Sequence, residues 1–380
     1  MPDNNDNVYD LVVVGGGPAG MMAAITAAQH GVSVLIIDKN SMLGKKLLLT
    51  GGGRCNLTHT GTPEELIEHI PYSGKCLLKA FHRFHSPELI AFFEQLGVSL
   101  VEDANGKYFP VSQQAREIQV VMTRALKIYG VEVVRSKVLN LDKTPGYYTI
   151  HSADGNFRAK YVLISTGGST YPGTGSSGDG YKFAGLFGHT VYPVEPGLVP
   201  LESPFLASGE LAGISLQRVG LQCFTHSGRL KFSHRGEMLF THDGVSGPLI
   251  LDASLYLLEY DFPVELVFTL PKDYAITFPK RFLQFFATTL AEQEKARGDI
   301  SIRFRCTQKK GWDHAMVTLG GVSMQEIDPQ TFESKFAPGL FFAGEVLDCH
   351  GKTGGYNLQI AFSTGYMVGE TVAKRKPPLQ

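Results

Sequence analysis

The feature that most constrains this chain is a glycine-rich turn between an apolar strand and a helix near the N-terminus. Residues 11–14 form a short β-branched run of the kind found in buried parallel strands. Gly15, Gly17 and Gly20 follow it with the spacing G-x-G-x-x-G. In this pattern the first glycine makes a tight turn, the second admits a pyrophosphate, and the third lets the helix pack closely. The segment therefore predicts a dinucleotide-binding turn.

The residues after this turn extend the pattern into a helix and a second strand. Pro18 suits the first helical turn, where its missing N–H costs nothing, and the helix N-terminus would direct free N–H groups at phosphates. The strand at residues 32–37 leads to Asp38, roughly twenty residues after the last glycine, where an acid is expected to bind an adenosine ribose. Residues 173–178 repeat the glycine spacing without a strand running into them. We interpret them as a loop near the same cofactor, not as a second nucleotide fold.

The far end of the chain carries the complementary signal. An apolar strand at residues 340–343 is followed by Gly344 and Asp348, an arrangement typical of the strand and loop that close a flavin site. Asp348 would accept a hydrogen bond from the ribityl or pyrophosphate end of the cofactor, and an ordinary loop aspartate is the alternative. Residues 354–357 precede a predicted helix. Its N-terminal N–H groups would face the flavin pyrimidine, where negative charge develops on reduction. The alternative is a helix cap formed by the Asn357 side chain, which is compatible with the first role.

Length and composition set broad limits on the class of protein. At 380 residues the chain predicts two or three domains, and 43% hydrophobic with 19% charged residues is ordinary for a globular protein. The net charge of −1 argues against a chain that binds nucleic acid through its overall charge. The five cysteines form no C-x-x-C pair, which predicts a reducing cytoplasm and no metal site. No apolar run reaches the roughly 18 residues of a membrane helix, and residues 2–7 do not resemble a signal peptide.

The pattern along the chain predicts a discontinuous domain with an insertion. Residues 1–190 are typical of an α/β domain with a β-meander, in which Asp154-Gly155 marks a hairpin between strands at 138–151 and 156–165. Residues 191–335 favour an inserted β-rich domain. Its amphipathic helix is predicted at about residues 279–297. Within the first domain, helices are predicted from Ser86 to about Gly97 and at roughly 113–129, where Gly130 ends the second one. Residues 336–380 return to the first domain.

Five motifs converge on a known family. The segments Gly-Gly-Arg-Cys-Asn and Gly-Gly-Tyr-Asn are more specific than the first glycine turn. Together with the other motifs they resemble the YhiN/BaiN flavoprotein family, in order and over nearly the whole chain. The matching segments are residues 15–20, 50–58, 171–180, 240–248 and 354–359.

The resemblance implies a fold, a cofactor and a reaction class. It implies FAD bound by a Rossmann-type domain that is interrupted by a β-barrel-like domain carrying a helical insert. It also implies an enzyme that reduces carbon–carbon double bonds, with uracil of large-subunit ribosomal RNA as substrate in some members and a steroid dienone in others. We expect NAD(P)H to act as a transient reductant, because no second nucleotide fold is visible.

The candidate cofactor ligands join the glycine turns to polar residues of neighbouring loops. Glycines at 51–53 would permit close backbone approach to the cofactor, and Arg54 would bind an anion. The residues predicted to contact FAD are Gly15, Gly17, Pro18, Ala19, Gly20, Asp38, Lys39, Lys46, Gly52, Gly53, Arg54, Cys55, Asn56, Val138, Thr166, Gly167, Gly168, Gly344, Glu345, Asp348, Gly355, Tyr356, Asn357 and Leu358.

Cys55 is the first candidate catalytic residue. A thiol beside a flavin would protonate the substrate carbon after hydride transfer to the conjugated partner. Single cysteines also serve as small buried fillers, and this alternative stays open. Cys349, next to His350, is a second candidate that lies outside the family motifs.

Three functions are compatible with the FAD-dependent oxidoreductase that the resemblance implies. The first is reduction of uridine to dihydrouridine in 23S ribosomal RNA, which needs a basic surface assembled by folding. The second is a small-molecule enone reductase or oxidase, for which the aromatic content of 11% allows an apolar pocket. The third is a flavin-binding redox module without catalysis. The RNA interpretation depends on the resemblance, and no single residue carries it.

Overall fold

The chain divides into two compact units. The computed structural model describes residues 8–270, 278–288, 290 and 300–376. The first unit comprises Met1–Val194 and Thr318–Gln380, and the second comprises Glu195–Val317. The sequence places the return to the first domain at residue 336. In the structure the return is at Thr318, because Val322, Met324 and the residues after them belong to the core of the first unit.

The first unit is built on a parallel sheet. Its parallel strands occur in the order β6-β2-β1-β9, and β19 pairs with the C-terminal part of β9. They are β1 (Val8–Val14), β2 (Val34–Asp38), β6 (Glu132–Arg135), β9 (Gly155–Ile164) and β19 (Leu340–Phe342). The predicted mixed α/β architecture with a Rossmann-type domain is therefore confirmed.

The register of this sheet aligns the strand ends that carry the glycine turns. Val14 pairs with Ile37 on one side and with Ile164 on the other, and Ile164 also pairs with Phe342. Residues 11–14 of β1, 34–37 of β2, 162–164 of β9 and 340–342 of β19 are apolar and buried, because both faces of this part of the sheet are covered. The carboxyl ends of β1, β2, β9 and β19 consequently meet at one edge, where ligands of such sheets bind.

An antiparallel meander extends the sheet beyond β9. β7 (Val138–Thr144) pairs with β8 (Tyr147–Ser152), which pairs with the N-terminal half of β9. The predicted hairpin at Asp154-Gly155 is confirmed. The predicted single strand at 138–151 is wrong, because Gly146, with a φ of +94°, turns the chain between β7 and β8.

The helices that the sequence predicts for the first unit agree in position with helices of the structure. The predicted helix from Ser86 to about Gly97 is α4, and the one predicted at 113–129 is α5. The helices are α1 (Pro18–Ala28), α2 (Pro63–Glu68), α3 (Leu78–Arg83), α4 (Ser86–Gln95), α5 (Ala115–Ile128), α6 (Asp179–Leu186) and, after the second unit, α9 (Tyr356–Arg375). The remaining strands are β3 (Thr58–His59), β4 (Leu100–Glu102) and β5 (Lys107–Pro110) in one small sheet, and β10 (Val191–Gly197) with β18 (Val317–Val322) in another.

Both units contain short 3-10 helices. They are Lys45–Gly53, Gly74–Leu77, Pro172–Thr174, Pro204–Leu206, Glu259–Asp261, Trp312–His314, Met324–Glu326 and Gly344–Val346. Within the described ranges, no helix combines the length and the apolar composition that crossing a bilayer requires.

The second unit is a seven-stranded sheet in the order β16-β15-β12-β13-β14-β11-β17. The end strands β16 and β17 are separated in sequence only by Thr307, but no pairing between them is observed in the described residues, so a closed barrel stays a prediction. The strands are β11 (Leu201–Glu202), β12 (Ser215–Phe224), β13 (Leu230–Phe240), β14 (Gly244–Ser246), β15 (Val264–Leu270), β16 (Ile300–Cys306) and β17 (Gln308–Lys309).

Two helices accompany this sheet, α7 (Pro248–Ser254) and α8 (Lys280–Phe285). α8 falls within the helix predicted at about 279–297. Its Phe282 is buried in the core of the unit beside Phe278 and Phe286. Residues 289 and 291–297 of the predicted helix lie outside the described residues.

The closest helix pair in the first unit is α1 against α9. Gly365 and Gly369 of α9 lie against the backbone of Ala19 and Ala23 of α1. A Cβ at Gly365 would overlap the Ala19 carbonyl oxygen, and one at Gly369 would lie 2.6 Å from the Ala23 carbonyl oxygen. The two helices therefore touch backbone to backbone, and this contact fixes the far-end helix on the glycine-turn helix.

Replacing Gly365 by alanine tests this contact. We expect Gly365→Ala to lower the free energy of unfolding by about 2 kcal/mol or more, since neither backbone can move without disturbing a packed core. The control is Gly185→Ala in α6, where a Cβ meets nothing within 4 Å and where alanine should stabilise by up to about 1 kcal/mol. Urea unfolding of both variants decides the matter, and an unchanged midpoint for Gly365→Ala would contradict the proposed packing.

Candidate cofactor site

The three glycines of the first turn have different surroundings. A Cβ at Gly15 would lie 2.6 Å from the Ser165 carbonyl oxygen, and one at Gly20 would lie 2.6 Å from the Ser165 Oγ. A Cβ at Gly17 would meet nothing closer than 4.0 Å. Gly15 and Gly20 are thus required by the protein's own packing. Gly17, which precedes α1 without a side-chain cap, faces open space that a phosphate can occupy.

Asp38 is held at the end of β2 by the turn itself. Its Oδ2 accepts a hydrogen bond from the Gly16 N–H at 2.7 Å, and its Oδ1 accepts bonds from the Asn40 N–H at 2.7 Å and Asn40 Nδ2 at 3.0 Å. Each carboxylate oxygen can accept two hydrogen bonds, so Oδ2 retains capacity for a ribose hydroxyl. Val138 lies two residues after Ser136, whose N–H donates a hydrogen bond to the Asp38 carbonyl. This bond brings the start of β7 near the end of β2.

The two predicted lysine ligands both form ion pairs. Lys39 Nζ lies 2.6 Å from Asp179 Oδ2 and also bonds to Ser177. Burial alone would raise the pKa of Asp179, but the hydrogen bonds from Lys39 and Ser177 outweigh it and lower that pKa. The pair anchors the loop before α6 to the end of β2, a contact that sequence reasoning missed for Asp179.

Lys46 joins two predicted site residues that are far apart in sequence. Its Nζ lies 2.7 Å from Glu345 Oε2 and bonds to Thr170 Oγ1. Glu345 Oε1 also accepts a hydrogen bond from the Thr318 N–H at 3.0 Å. The pair joins the 3-10 helix Lys45–Gly53 to the loop after β19. Both side chains are about four-fifths buried, so loss of either one would leave the other charge poorly solvated.

The turn after β9 brings further predicted residues to the same edge. Gly167 has a φ of +75°, and a Cβ at Gly168 would overlap the Thr318 hydroxyl. Thr166 Oγ1 is buried and has no hydrogen-bond partner in the part of the chain that the structure describes. An unpaired buried hydroxyl is costly, so Thr166 is poised to bond to a group supplied from outside the chain.

The loop at residues 51–56 combines an exposed backbone turn with the side-chain amide of Asn56, whose oxygen is buried. Gly51, Gly52 and Gly53 all have positive φ, and a Cβ at Gly52 would meet nothing within 4 Å. The Arg54 guanidinium lies over the Phe109 ring, 4.7 Å from its centroid. Asn56 Oδ1 is buried near Gly355 and has no partner among the described residues. The loop therefore offers both backbone and side-chain groups to a ligand.

Cys55 is enclosed by this loop. It is 0% exposed, and its φ of +64° places it in the left-handed region. Burial raises the pKa of its thiol to about 12, and the hydrogen bond with Thr50 offsets this only in part. A buried weak acid favours the filler interpretation over the proton donor. Cys349 is also buried, and burial raises its pKa well above the usual value.

The loop between β19 and α9 contains the predicted acid and a histidine not assigned from the sequence. Gly344 has a φ of +76°, and its N–H bonds to Thr364 Oγ1 at 3.0 Å. His350 is buried, and its Nε2 lies 3.1 Å from Asp348 Oδ1. His350 Nδ1 has no partner in the described residues. Only its position two residues after Asp348 could have indicated that contact.

The start of α9 is stabilised differently from the expected side-chain cap. Gly355, with a φ of +102°, occupies the cap position, and Asn357 lies in the first turn. The Asn357 side chain bonds instead to the N–H and carbonyl of Gly351, at 2.9 and 2.8 Å. Tyr356 stacks on His69 at 4.5 Å between ring centroids, and Leu358 packs against the core of the unit. The N–H groups at the helix start are thus left without a side-chain cap.

Taken together, these features fit a large polar cofactor such as FAD. Gly17 and Gly52 leave open space beside the backbone. Asn56 Oδ1, Thr166 Oγ1 and His350 Nδ1 are buried acceptor or donor atoms that lack a partner within the described chain. The cofactor roles of the individual residues stay predictions.

Reactivity of the five free cysteines provides a test of the burial. Cys76 is half-buried, whereas the others are buried, so we expect iodoacetamide to modify Cys76 first in the native protein. Cys55 should react only after denaturation. Peptide mass spectrometry on the wild type and on Cys76→Ala measures each site, and native labelling of Cys55 at a rate similar to Cys76 would contradict its burial.

Known proteins resemble this chain over nearly its whole length. A family model described as HI0933-like protein Rossmann domain matches residues 9–371. The chain is 30% identical to the ribosomal RNA dihydrouridine synthase of Escherichia coli, over 97% of this chain and 99% of that protein. It is 32% identical to the 3-dehydro-bile acid delta(4,6)-reductase of Clostridium scindens, over 96% and 98%.

A solved structure shares the fold. The 3-ketosteroid-delta4-(5alpha)-dehydrogenase from Rhodococcus jostii RHA1 superposes with a TM-score of 0.57 at 14% identity, over 97% of this chain and 98% of that one. At this identity the likeness shows the fold alone. The family match and the two curated relatives confirm the resemblance drawn from the motifs. This chain therefore belongs to the HI0933-like Rossmann-domain family of flavoprotein oxidoreductases.

Proposed function

We propose that this protein is an FAD-dependent enzyme that uses NAD(P)H to reduce an activated carbon–carbon double bond. The preferred substrate is uridine in 23S ribosomal RNA, which becomes dihydrouridine. One observation carries the proposal, namely that two relatives aligned over almost the entire chain are named for saturating a conjugated C=C bond. The supporting geometry is the edge of the sheet at which the predicted FAD ligands meet.

The chain's own groups would bind and orient the cofactor. The N–H groups at the start of α1, next to Gly17, would receive the pyrophosphate, and Asp38 Oδ2 would accept the ribose hydroxyl. Asp348, supported by His350, would accept a hydrogen bond from the ribityl chain. N–H groups at the start of α9 would stabilise negative charge on the flavin pyrimidine. Bound FAD supplies the hydride chemistry.

The reductant is proposed to bind transiently. One glycine turn is entered directly from a parallel strand, whereas the second glycine match starts in the 3-10 helix Pro172–Thr174. The loop with this second match is bound to the segment that follows β2. Lys45 Nζ donates a hydrogen bond to the Gly173 carbonyl at 2.7 Å, and Asn40 Nδ2 donates one to the Thr174 carbonyl at 3.0 Å. A separate nicotinamide fold is therefore not part of the proposal.

A small-molecule enone is the second candidate substrate. The 32% identity to a bile acid reductase favours it as strongly as the 30% identity to the RNA enzyme favours uridine. Both substrates present a C=C bond conjugated to a carbonyl, so the hydride step has the same requirements. The choice depends on residues outside the cofactor turn.

Loss of the gene tests the RNA substrate. We expect 23S ribosomal RNA from a deletion strain to lack dihydrouridine at one or more positions, with recovery on complementation, because only a uridine reductase makes that base. Quantitative mass spectrometry of RNA digests provides the measurement. Unchanged dihydrouridine in the deletion strain would exclude the RNA proposal and favour an enone, which a screen of acceptors for NAD(P)H-dependent reduction would then identify.

Gly17→Ala tests the pyrophosphate position separately from the substrate. The Gly17 backbone has a φ of −78° and ψ of −175°, which alanine adopts freely, and the added Cβ would lie no closer than 4.0 Å to the Ser165 carbonyl oxygen, its nearest neighbour. We expect normal stability but FAD binding weakened about ten-fold or more, roughly 1.4 kcal/mol. FAD titration and urea unfolding check both parts, with Gly185→Ala as control. Unchanged FAD affinity would show that the pyrophosphate lies elsewhere.

A further inference from the structure

The second unit presents a polar sheet surface on the side opposite its core. Alternate residues of β16, β15, β12 and β13 face the core, among them Phe304, Leu266, Cys223 and Phe232. Because side chains alternate along a strand, the intervening residues share the outer face. We call this surface the arginine face. It comprises Ser301, Arg303, Arg305, Glu265, Val267, Thr269, Gly220, Gln222, Phe224, Ser233 and Arg235.

Strand register places the cations of the arginine face in a definite pattern. Arg305 pairs with Glu265 and Arg303 pairs with Val267, so the two arginines lie about 7 Å apart along the edge strand β16. Arg235 lies three strands away, in the row of Thr269 and Gly220. Adjacent strands are about 4.8 Å apart, so the cations span roughly 14 Å across the sheet.

Charge is strongly one-sided on this surface. The arginine face carries three arginines and one glutamate, although the whole chain has a net charge of −1. Glu265 lies 3.6 Å from Arg303, but the Arg303 side chain is 65% exposed, so its guanidinium stays largely available. Because this ion pair is exposed to solvent, it contributes little to the free energy of folding. The remaining members of the face include several hydroxyl and amide side chains.

A pocket opens at one end of the arginine face. It has a volume of about 350 Å³, and its lining includes Arg303, Arg305, Glu265, Phe224 and His226. His226 belongs to the turn between β12 and β13 and is exposed. The pocket thus combines two guanidinium groups with an aromatic ring, a combination that suits an anionic group attached to a planar one.

We propose that the arginine face binds the phosphodiester backbone of the RNA substrate, with Arg303 and Arg305 as the main phosphate ligands. The planar guanidinium donates two parallel hydrogen bonds to a phosphate, and serine, threonine and glutamine side chains add further donors. Phe224 and His226 line the position of a flanking base or sugar. This inference depends on the RNA substrate proposed above, and it places a binding surface on the inserted unit.

Salt-dependent binding measures this role directly. The probe is protein-free 23S ribosomal RNA from the deletion strain, titrated with the FAD-loaded full chain at salt concentrations between about 50 and 200 mM. Over this range the affinity that comes from phosphate contacts falls steeply. For Arg303→Gln/Arg305→Gln we expect affinity about ten-fold weaker or more. We expect the slope of log affinity against log salt to fall by about one to two. The control Arg116→Gln/Lys127→Gln removes the same charge from the exposed side of α5 and should bind like wild type.

Two further variants separate charge from folding. Arg303→Lys/Arg305→Lys keeps the charge and should retain most of the salt slope with partial loss of affinity, because lysine cannot form the bidentate bond. Glu265→Gln removes the acid of the face and should tighten binding two-fold or more. Bound FAD per chain reports folding for every variant. Tightening by Glu265→Gln would not follow if these residues only supported the fold.

The remaining outcomes overturn the inference in distinguishable ways. Equal weakening by the glutamine pair and by the α5 control would mean that overall charge, not the arginine face, governs binding. Wild-type affinity and slope for the glutamine pair would exclude this surface while the RNA substrate stands. No RNA binding by wild type, together with unchanged dihydrouridine in the deletion strain, would reject the proposed function and this inference with it.

Discussion

The backbone contact at the end of β1 is the constraint on which the candidate site depends. Gly15 lies against the Ser165 carbonyl, and Ser165 Oγ donates back to the Gly15 carbonyl at 2.8 Å. Gly20 lies beside the same pair of residues, which holds α1 against the ends of β1 and β9. A side chain at Gly15 or Gly20 would collide with this crossing, so the helix start is fixed by main-chain contacts and by the Ser165 hydroxyl. The result is a preorganised set of N–H groups beside the open side of Gly17.

Two ion pairs connect the loops around that core. Lys39 with Asp179 and Lys46 with Glu345 link segments that are distant in sequence and that all follow carboxyl ends of parallel strands. Both pairs are mostly buried, so removing one partner would leave the other charge poorly solvated. The lysines predicted as cofactor ligands are consequently positioned by acids of the protein. Their hydrogen bonds to Ser177 and Thr170 indicate that they organise the loops from which a cofactor would be contacted.

The sequence predicted the parts of this structure that local rules determine. The strand and glycine turn ending at Gly20, the hairpin at Asp154 and helix α5 each follow from periodicity or turn chemistry. Contacts made over long sequence separations were not predictable in this way. Nothing local distinguishes Asp179 as the partner of Lys39, or Glu345 as the partner of Lys46. The turn at Gly146 was missed because apolar and polar residues continue to alternate across it. The positive φ of Gly146 reveals that the chain reverses direction there.

Burial of Cys55 means that the proton of the proposed reaction is expected to come from another group. Adding hydrogen across a C=C bond needs a proton as well as a hydride, and a thiol with a pKa of about 12 and no exposure is a poor source. The relatives named above act on substrates as different as ribosomal RNA and a bile acid, yet each aligns with nearly the whole chain. The proposed function therefore predicts a common cofactor site and divergent binding surfaces. Under that proposal, substrate recognition and the proton source are expected at residues outside the glycine turn.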